Sequence, residues 1–251
     1  MKSETEQKWI KHGRDAVIVP LPNHEFLITT CDSCGGIGEK EKDVIVVPSY
    51  WVGRMTTRVA LMEFLSCGGL LQCIAVTICT EPVPTGERII QGVQDELAAV
   101  GFGNCPLAIS TEKNISTIQT GIGVTVIGIA SLDDLRIHKS QRGDFLYALG
   151  LPRVGGEVRL EDPEIADGVV VQKLLKQSHV HDIVPVGSQG IYIEATHLAT
   201  FLSMDLLWDE HCHLDIKKSA GPSTVLLFTS SYEWIGQQIF LQPVTLLGKL
   251  I

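Results

Sequence analysis

The apolar run over residues 70–80 constrains the fold of this chain more than any other stretch. Its sequence, LLQCIAVTICT, is nearly continuous in apolar and β-branched residues, which is typical of a strand buried on both faces. Apolar residues recur at the period of an amphipathic helix before it, over 49–66, and after it, over 85–100. The sequence therefore predicts a helix, a strand and a second helix in that order. The stripe of the second helix consists of Ile89, Val93, Leu97 and Val100.

Shorter elements are predicted on either side of these three. Residues 16–20 and 26–30 are β-rich runs separated by turn residues, which indicates a hairpin. Residues 121–129, GIGVTVIGI, predict a buried strand, and the polar stretch 131–144 then separates a second half. In that half we expect strands at 145–149, 181–186, 225–228 and 244–247, helices at 163–177 (with Pro163 in its first turn) and 191–202, and a helix between the last two strands.

Charge and composition exclude several classes of protein. The chain has 251 residues, enough for one large or two small domains, and a net charge of −9 without any lysine- or arginine-rich block. A nucleic-acid partner or an anionic membrane is therefore disfavoured. The N-terminus is charged, and no apolar run approaches the roughly 20 residues that span a bilayer, so we expect a cytoplasmic protein. In that reducing compartment most of the seven cysteines would be small core residues.

The glycine-rich stretch 31–43, CDSCGGIGEKEKD, is the first candidate site and is predicted to be a surface loop. Asp32 directly follows a strand, and Gly35 and Gly36 would let backbone N–H groups approach phosphate oxygens. Lys40 would neutralise phosphate, and Asp43 offers a second carboxylate for Mg²⁺. The alternative is a solvated loop without a ligand.

The second candidate is the polar cluster at 110–114, STEKN, just before the strand at 121–129. Glu112 supplies a carboxylate for a cation, and Lys113 and Asn114 supply donors for phosphates. The alternative is a polar turn between two elements. The cluster is interpreted as part of an ATP site.

Three weaker signals remain open. Cys31 and Cys34 form a C-x-x-C, which would make a redox pair or, with the His211–His213 segment, a zinc site. The stretch 187–190, GSQG, is either an anion site at a helix N-terminus or an ordinary helix start capped by Ser188. The segment 217–222, KKSAGP, is another basic, glycine-bearing turn.

The order of these pieces resembles the aminoimidazole-ribonucleotide-synthetase-like superfamily, which includes thiamine-monophosphate kinase and selenophosphate synthetase. The resemblance covers nearly the whole chain, and Glu63 in RMTTRVALMEFLSCGG matches an acidic helix residue of the family. GLPRVGGE, HDIVPVGSQG and KKSAGPS look like the glycine loops of its C-terminal domain. The amino-acid sequences of these motifs are most similar to those of the short α-ribazole kinase branch. One departure is that the family's N-terminal Gly-Asp-Asp is here only Arg14-Asp15.

The resemblance implies a fold and a set of partners. The fold class would be α/β with mixed sheets and helices on one face of each. Residues 1–135 would form an ATP-binding and dimerisation domain that pairs into a dimeric barrel-like core. Residues 136–251 would form a domain that closes over the phosphate acceptor. ATP and Mg²⁺ would be the cofactors, and a small molecule and a second copy of the chain the partners.

The resemblance also implies roles for individual residues. Asp32 and Glu112 would be catalytic. The metal ligands would be Asp32, Asp43, Glu63 and Glu112. The nucleotide would contact Gly35, Gly36, Lys40, Lys113 and Asn114. The acceptor would lie near Asp182, Ser188, Gly190, Lys218 and Ser219.

The expected activity is ATP-dependent phosphorylation of the 5′-hydroxyl of α-ribazole in corrinoid salvage. Phosphoryl transfer needs positioning and charge neutralisation more than a strong base, so the lack of a nucleophile is no objection. Three alternatives remain: a ligase of the same superfamily that activates an amide or carbonyl, a nucleotide-binding regulator without turnover, and a thiol or zinc protein.

Overall fold

The computed structural model describes residues 15–234 and 240–251, and two five-stranded sheets dominate it. In chain order the strands and helices are β1 (Ala16–Pro20), β2 (Glu25–Gly35), β3 (Ile37–Gly38), β4 (Ile45–Val46), α1 (Ser49–Ser66), β5 (Leu70–Ile78), α2 (Glu87–Ala99), β6 (Leu107–Thr111), β7 (Gly121–Ser131), β8 (Phe145–Leu149), α3 (Gly168–Leu175), β9 (Val180–Pro185), α4 (Gly190–Phe201), β10 (Leu206–Trp208), β11 (Leu226–Ser230) and β12 (Val244–Leu250). None of the described helices is long and apolar enough to cross a membrane.

The first sheet has the strand order β1-β2-β7-β5-β6 and is mixed, as expected. Only β5 and β6 run parallel, and the other three pairs are antiparallel. One face packs under α1 and α2, where Ile28, Ile74 and Val124 are fully buried. The predicted hairpin of β1 and β2 and the helices at 49–66 and 85–100 are confirmed within a residue or two.

On the opposite face of this sheet the described side chains are partly buried or exposed, which corrects the prediction that residues 70–80 are buried on both faces. The side chains of β5 alternate in burial, and Leu70 is 62% exposed. No described element of the chain packs on that face. We call it the open face; Ile127 near the middle of β7 lies on it, between Thr29 of β2 and Cys73 of β5.

Residues 31–35 are strand, whereas the sequence predicted a surface loop. They continue β2 and pair with residues 121–125 of β7. The neighbouring strand β1 pairs with β2 only as far as Thr30. Beyond that residue no described strand pairs with this edge of β2.

The second sheet has the order β10-β12-β8-β11-β9, and all its pairs are antiparallel. Both of its faces are covered, which corrects the expectation of helices on one face. Tyr147 and Phe228 face the same core as α1, whereas Leu146 and Leu227 face α4.

Further elements differ from the prediction. The helix expected at 163–177 starts only at Gly168, because Asp167 caps it by accepting a hydrogen bond from the Val170 N–H at 2.9 Å. Strands β3, β4, β6 and β10 were not predicted. No helix lies between β11 and β12 among residues 231–234 and 240–243, and the rest of that prediction falls outside the described residues.

Helix α1 connects the two halves. One continuous core contains Phe64 of α1 together with Val124 of the first sheet and Phe228 of the second. The α1 and α2 backbones touch, since a Cβ on Gly53 would lie 2.1 Å from the Ile89 carbonyl oxygen. No side chain would fit at this contact, so α1 packs directly against α2.

Candidate active site

A cleft of about 560 Å³ lies where the two halves meet, within the size range of small-molecule sites. One face of α1 forms its floor, with Trp51, Met55, Val59 and Glu63 at helical spacing. Strand β2 runs alongside, since the Thr30 hydroxyl donates to the Ala60 carbonyl at 2.8 Å and Cys34 contacts Thr56. From Trp51 to Glu63 the floor spans about 18 Å, at 1.5 Å per helical residue.

Three carboxylates lie along the cleft: Asp15, Asp32 and Glu63. Burial raises the pKa of Asp32 to about 6, a backbone hydrogen bond from Ser33 opposes the shift, and the charge of Asp15 adds to it. Glu63 is 7% exposed. Asp32 and Glu63 therefore both line the cleft, and their roles as metal ligands stay predictions.

Asp15 was not among the predicted site residues. It precedes β1, and the hairpin register, which pairs Ala16 with Thr30, carries it next to the Asp32 segment. The signal was present in the sequence, because an aspartate before the first strand of a predicted hairpin must lie beside the end of the partner strand. Asp15 occupies the position at which the resembling family has its N-terminal Gly-Asp-Asp.

The glycine loops of the second half close the other wall. Gly155, Ser188 and Gly221 line the cleft, one from each of the three segments singled out in the sequence. A Cβ on Gly155 would lie 3.5 Å from the Ile45 side chain, so this loop touches the first half.

Only some of the residues predicted to bind the acceptor line the cleft. Ser188 lines the cleft, but Gly190, Lys218 and Ser219 are not among the described lining residues. Helix α4 begins after Gln189 without a side-chain cap, so Ser188 is not its N-cap. The Lys218 ammonium instead pairs with Glu157 at 2.7 Å, which joins two of the loops.

Asp182 lies inside the second sheet and is not among the described lining residues. Its carboxylate accepts hydrogen bonds from the Ser140 N–H at 2.8 Å and the Ser140 hydroxyl at 2.5 Å. The backbone N–H of Asp182 donates to the Thr229 hydroxyl at 3.0 Å. The structure therefore gives this carboxylate a place in a buried hydrogen-bond network.

The loop 36–43 is held by its own charged side chains. Asp43 accepts hydrogen bonds from the Thr120 N–H at 2.8 Å, the Thr120 hydroxyl at 2.7 Å and the Lys40 N–H at 2.8 Å. Lys40 forms an ion pair with Glu81. Gly36 has a φ of +71°, which favours glycine, and its N–H donates to the Thr120 carbonyl. Gly35 lines the cleft, whereas Asp43, Lys40 and Gly36 are not among the described lining residues.

The cluster 110–114 is not among the described lining residues either. Ser110 and Thr111 end β6, and the Glu112 carboxylate accepts hydrogen bonds from the backbone N–H groups of Asn114 and Ile115 at 2.6 and 3.0 Å. These two bonds lower the pKa of Glu112. Lys113 and Asn114 are exposed. The cluster therefore contains the polar turn of the alternative interpretation.

The C-x-x-C does not form a compact thiol pair. Cys31 and Cys34 lie three residues apart on a strand, so their side chains point to opposite faces. Burial, followed by the charge of Asp32, raises the pKa of the Cys34 thiol to about 11, so it is protonated at neutral pH. No three His, Cys, Asp or Glu side chains of the described residues group so as to hold a metal ion.

The carboxylates nevertheless fit Mg²⁺ held together with a nucleotide. Mg²⁺ usually takes one or two protein carboxylates and fills its remaining positions with phosphate and water oxygens. Asp15 and Asp32 are close enough for the charge of one to affect the pKa of the other. The four predicted metal ligands do not form one cluster by themselves, so phosphate oxygens would have to complete the site.

No protein-family model and no curated protein matches the chain. Solved structures do match. Thiamine monophosphate kinase from Aquifex aeolicus is 17% identical, with 94% of this chain and 88% of that chain covered at a TM-score of 0.64. A structure of AaThiL complexed with AMPPCP and TMP is also 17% identical, with 95% and 84% covered at 0.63.

Phosphoribosylformylglycinamidine synthase II from Thermotoga maritima is 14% identical, at a TM-score of 0.60. The match covers 95% of this chain but only 37% of the synthase chain. Likeness at these identities establishes the fold alone, and the predicted mixed α/β fold is confirmed.

Proposed function

We propose that this chain is an ATP- and Mg²⁺-dependent small-molecule kinase, and that its acceptor is the 5′-hydroxyl of α-ribazole. The observation that carries the proposal is the cleft, in which carboxylates of the first half face glycine loops of the second. The structural likeness to a kinase complexed with AMPPCP and TMP supports it at the level of the fold. The choice of α-ribazole rests on the sequence resemblance.

The cleft residues would contribute positioning and charge. Asp15 and Asp32 would hold Mg²⁺, with Glu63 nearby, and the bound cation would neutralise phosphate charge during transfer. Asp32 is ionised above about pH 6 and is then able to serve as a ligand. The Ser33–Gly35 segment of β2 and the loop containing Ser188, both of which line the cleft, would orient the acceptor through backbone groups. Lys113, Asn114 and Glu112 would approach the nucleotide from outside the cleft.

We further propose that two copies pair through their open faces. This would form the dimeric barrel-like core that the resemblance implies, and it would cover the half-buried row that includes Ile127. Residues 1–135 and 136–251 remain the proposed domain division.

A kinase assay tests the proposal. Purified protein with ATP and Mg²⁺ should release ADP and form α-ribazole phosphate, with thiamine monophosphate and other ribosides as controls.

Asp32→Asn should lower turnover by roughly 100-fold or more, because positioning and charge neutralisation supply most of the rate. Glu112→Gln should also lower turnover while leaving the fold intact. Normal turnover in both variants would overturn the site assignment.

A ligase activity is the second candidate, favoured by the likeness to the Thermotoga maritima synthase. It would use the same cleft, with ATP activating an amide or carbonyl. ADP release with an amide substrate and an ammonia source, but with none of the ribosides, would select it over the kinase. ATP binding by calorimetry without ADP formation on any substrate would indicate a regulator.

A further inference from the structure

Ser223 combines two features that are each unfavourable for the fold. Its backbone has a φ of +47°, in the left-handed region that residues other than glycine adopt at a cost. The residue is only 2% exposed, yet its hydroxyl has no hydrogen-bond partner within the described chain. Polar side-chain atoms of buried residues nearly always have one. Because Ser223 lines the cleft, a bound ligand can supply the partner that the described chain does not.

The neighbouring Thr224 shows the usual arrangement of a buried hydroxyl. It accepts a hydrogen bond from the Arg153 N–H at 3.0 Å, and the Thr224 backbone N–H donates to the Ala220 carbonyl at 2.8 Å. These bonds anchor the C-terminal side of the turn at 221–223. A ligand therefore meets a serine whose backbone is already oriented, which lowers the entropic cost of binding.

A second serine lies against the same turn. The Ala220 N–H donates to the Gly187 carbonyl at 3.2 Å, and a Cβ on Gly221 would lie 3.7 Å from the backbone nitrogen of Ser188. Ser188 is exposed and lines the cleft, and its side chain also has no hydrogen-bond partner within the described chain. Two serines from adjoining loops therefore border the same part of the cleft.

The chemistry of this part of the cleft favours an uncharged ligand group. Two of the first three N–H groups of α4 donate to carbonyls of the chain, that of Gly190 to Gly187 and that of Tyr192 to Ile216, so fewer remain for an anion. No lysine, arginine or histidine occurs among the described lining residues. A serine hydroxyl both donates and accepts hydrogen bonds, as the hydroxyl of a sugar does. The matching ligand group is therefore an alcohol.

We propose that Ser223, with Ser188 beside it, binds a hydroxyl group of the acceptor's sugar and selects ribosides over their deoxy analogues. For the word acceptor the inference rests on the proposed function, in which the loop containing Ser188 orients that substrate. A site that bonds a substrate hydroxyl rejects the analogue without it, because its own polar groups are then left unpaired. ATP also carries a ribose, and the kinetics distinguish the two sources of the hydroxyl.

Two substitutions at Ser223 test its role. Ser223→Gly removes the hydroxyl and adopts the φ of +47° without strain, so its melting temperature should equal or exceed that of wild type. With α-ribazole, Ser223→Gly and Ser223→Ala should both raise the acceptor KM by roughly 3- to 10-fold, the effect of one neutral hydrogen bond. The KM for ATP should stay unchanged. Ser203→Gly is the matched control, because Ser203 also has a positive φ, +57°, but is exposed outside the described cleft lining and should leave both constants unchanged.

Deoxy analogues identify the hydroxyl that Ser223 binds. Either the 2′-deoxy or the 3′-deoxy analogue of α-ribazole should have a raised KM with wild type. Ser223→Gly should raise that KM by less than about twofold more, since the same hydrogen bond cannot be lost twice. Losses that multiply with both analogues would overturn the subsite. A loss that couples only to 2′-deoxy-ATP or 3′-deoxy-ATP would also overturn it, because the hydroxyl would then belong to the nucleotide.

Calorimetric titrations without ATP test the subsite apart from catalysis. Ser223→Gly should bind α-ribazole roughly 3- to 10-fold more weakly than wild type, and Ser203→Gly should match wild type. Binding that depends on Ser223, without turnover of any riboside, would support the subsite and reject the kinase. Undetectable binding of both α-ribazole and adenosine to wild type would overturn the subsite, as would equal affinity in wild type and Ser223→Gly.

Discussion

Burial of the ionised Asp32 carboxylate in the cleft lowers the free energy of unfolding at neutral pH. Its pKa of about 6 exceeds the ordinary 3.8, so the folded state holds the proton more tightly than the unfolded chain does. The free energy of unfolding therefore falls as pH rises from about 4 to about 6, and the ionised form remains destabilising above that range. The carboxylate that the proposed chemistry needs is thus unfavourable for stability.

Asp32→Asn should separate these two effects. At about pH 7.5 we expect the variant to unfold at a higher temperature than wild type, with a gain on the order of 1–2 kcal/mol after screening, while turnover is lost. The gain should shrink as pH falls from about 6 to about 4. Circular-dichroism melts over that range measure it.

Asp43→Asn is the matched control and should have the opposite effect. Asp43 accepts three hydrogen bonds within 2.8 Å, so its loss should destabilise the protein by about 1–3 kcal/mol. Equal stability loss in both variants would contradict the environment assigned to Asp32.

Single residues were predictable where chemistry and sequence position coincide. Asp32 was singled out by its place after a predicted strand and Glu63 by the family resemblance, and both line the cleft. Asp182 was misplaced because polar residues beside a glycine loop look alike in sequence whether they face a ligand or a buried serine. Only the register of β9 against β11 decides which way it points.

At the scale of elements, the start of α1 depends on a residue from a distant loop. Pro48 at its N-cap offers no side-chain bond, and Glu39 instead accepts hydrogen bonds from the Ser49 N–H at 2.8 Å and the Ser49 hydroxyl at 2.7 Å. The backbone bond from Ser49 is the main cause that lowers the pKa of Glu39 below its ordinary 4.5. The stabilisation is therefore present above about pH 4.5 and lost as pH falls.

Glu39→Ala should lower the free energy of unfolding by about 1 kcal/mol at neutral pH, the usual worth of a helix cap. Denaturant titrations should show the difference shrinking as pH falls below about 4.5, the ordinary pKa of a glutamate. Glu41→Ala is the control, since Glu41 is 75% exposed and pairs only with Lys42 among the described residues, and it should have no measurable effect. A deficit in Glu39→Ala that persists unchanged at low pH would argue against capping by the carboxylate.

Elements with a strong apolar period were predictable, and those fixed by a neighbouring strand were not. Helices α1 and α2 carry apolar residues at helical spacing, a signal contained in the local sequence. Residues 31–35 are polar and glycine-rich, and they are strand only because β7 supplies hydrogen bonds as far as Gly121. Likewise β6 owes its extended form to pairing beside β5, a contact remote from its local sequence.

At the scale of the whole molecule, the open face predicts the oligomeric state. Ile127→Asp would place a charge at the centre of the proposed dimer contact, where burying an unpaired carboxylate costs several kcal/mol. We expect wild type to sediment as a dimer and this variant as a monomer. Leu207→Asp alters a residue that is 60% exposed on β10 and should leave the dimer intact. A wild-type protein that sediments as a monomer at micromolar concentration would rule out the contact.

The shared core around α1 has a further consequence for how the protein responds to stress. Because Phe64 and Phe228 belong to one apolar cluster, neither half retains a complete interior if the other melts. Loss of either sheet would expose side chains that α1 now covers, so heat or denaturant should encounter a single cooperative unit despite the two sheets. Opening and closing of the cleft is then left to the loops at 153–158 and 217–223, because a hinge between the halves would have to pull that cluster apart.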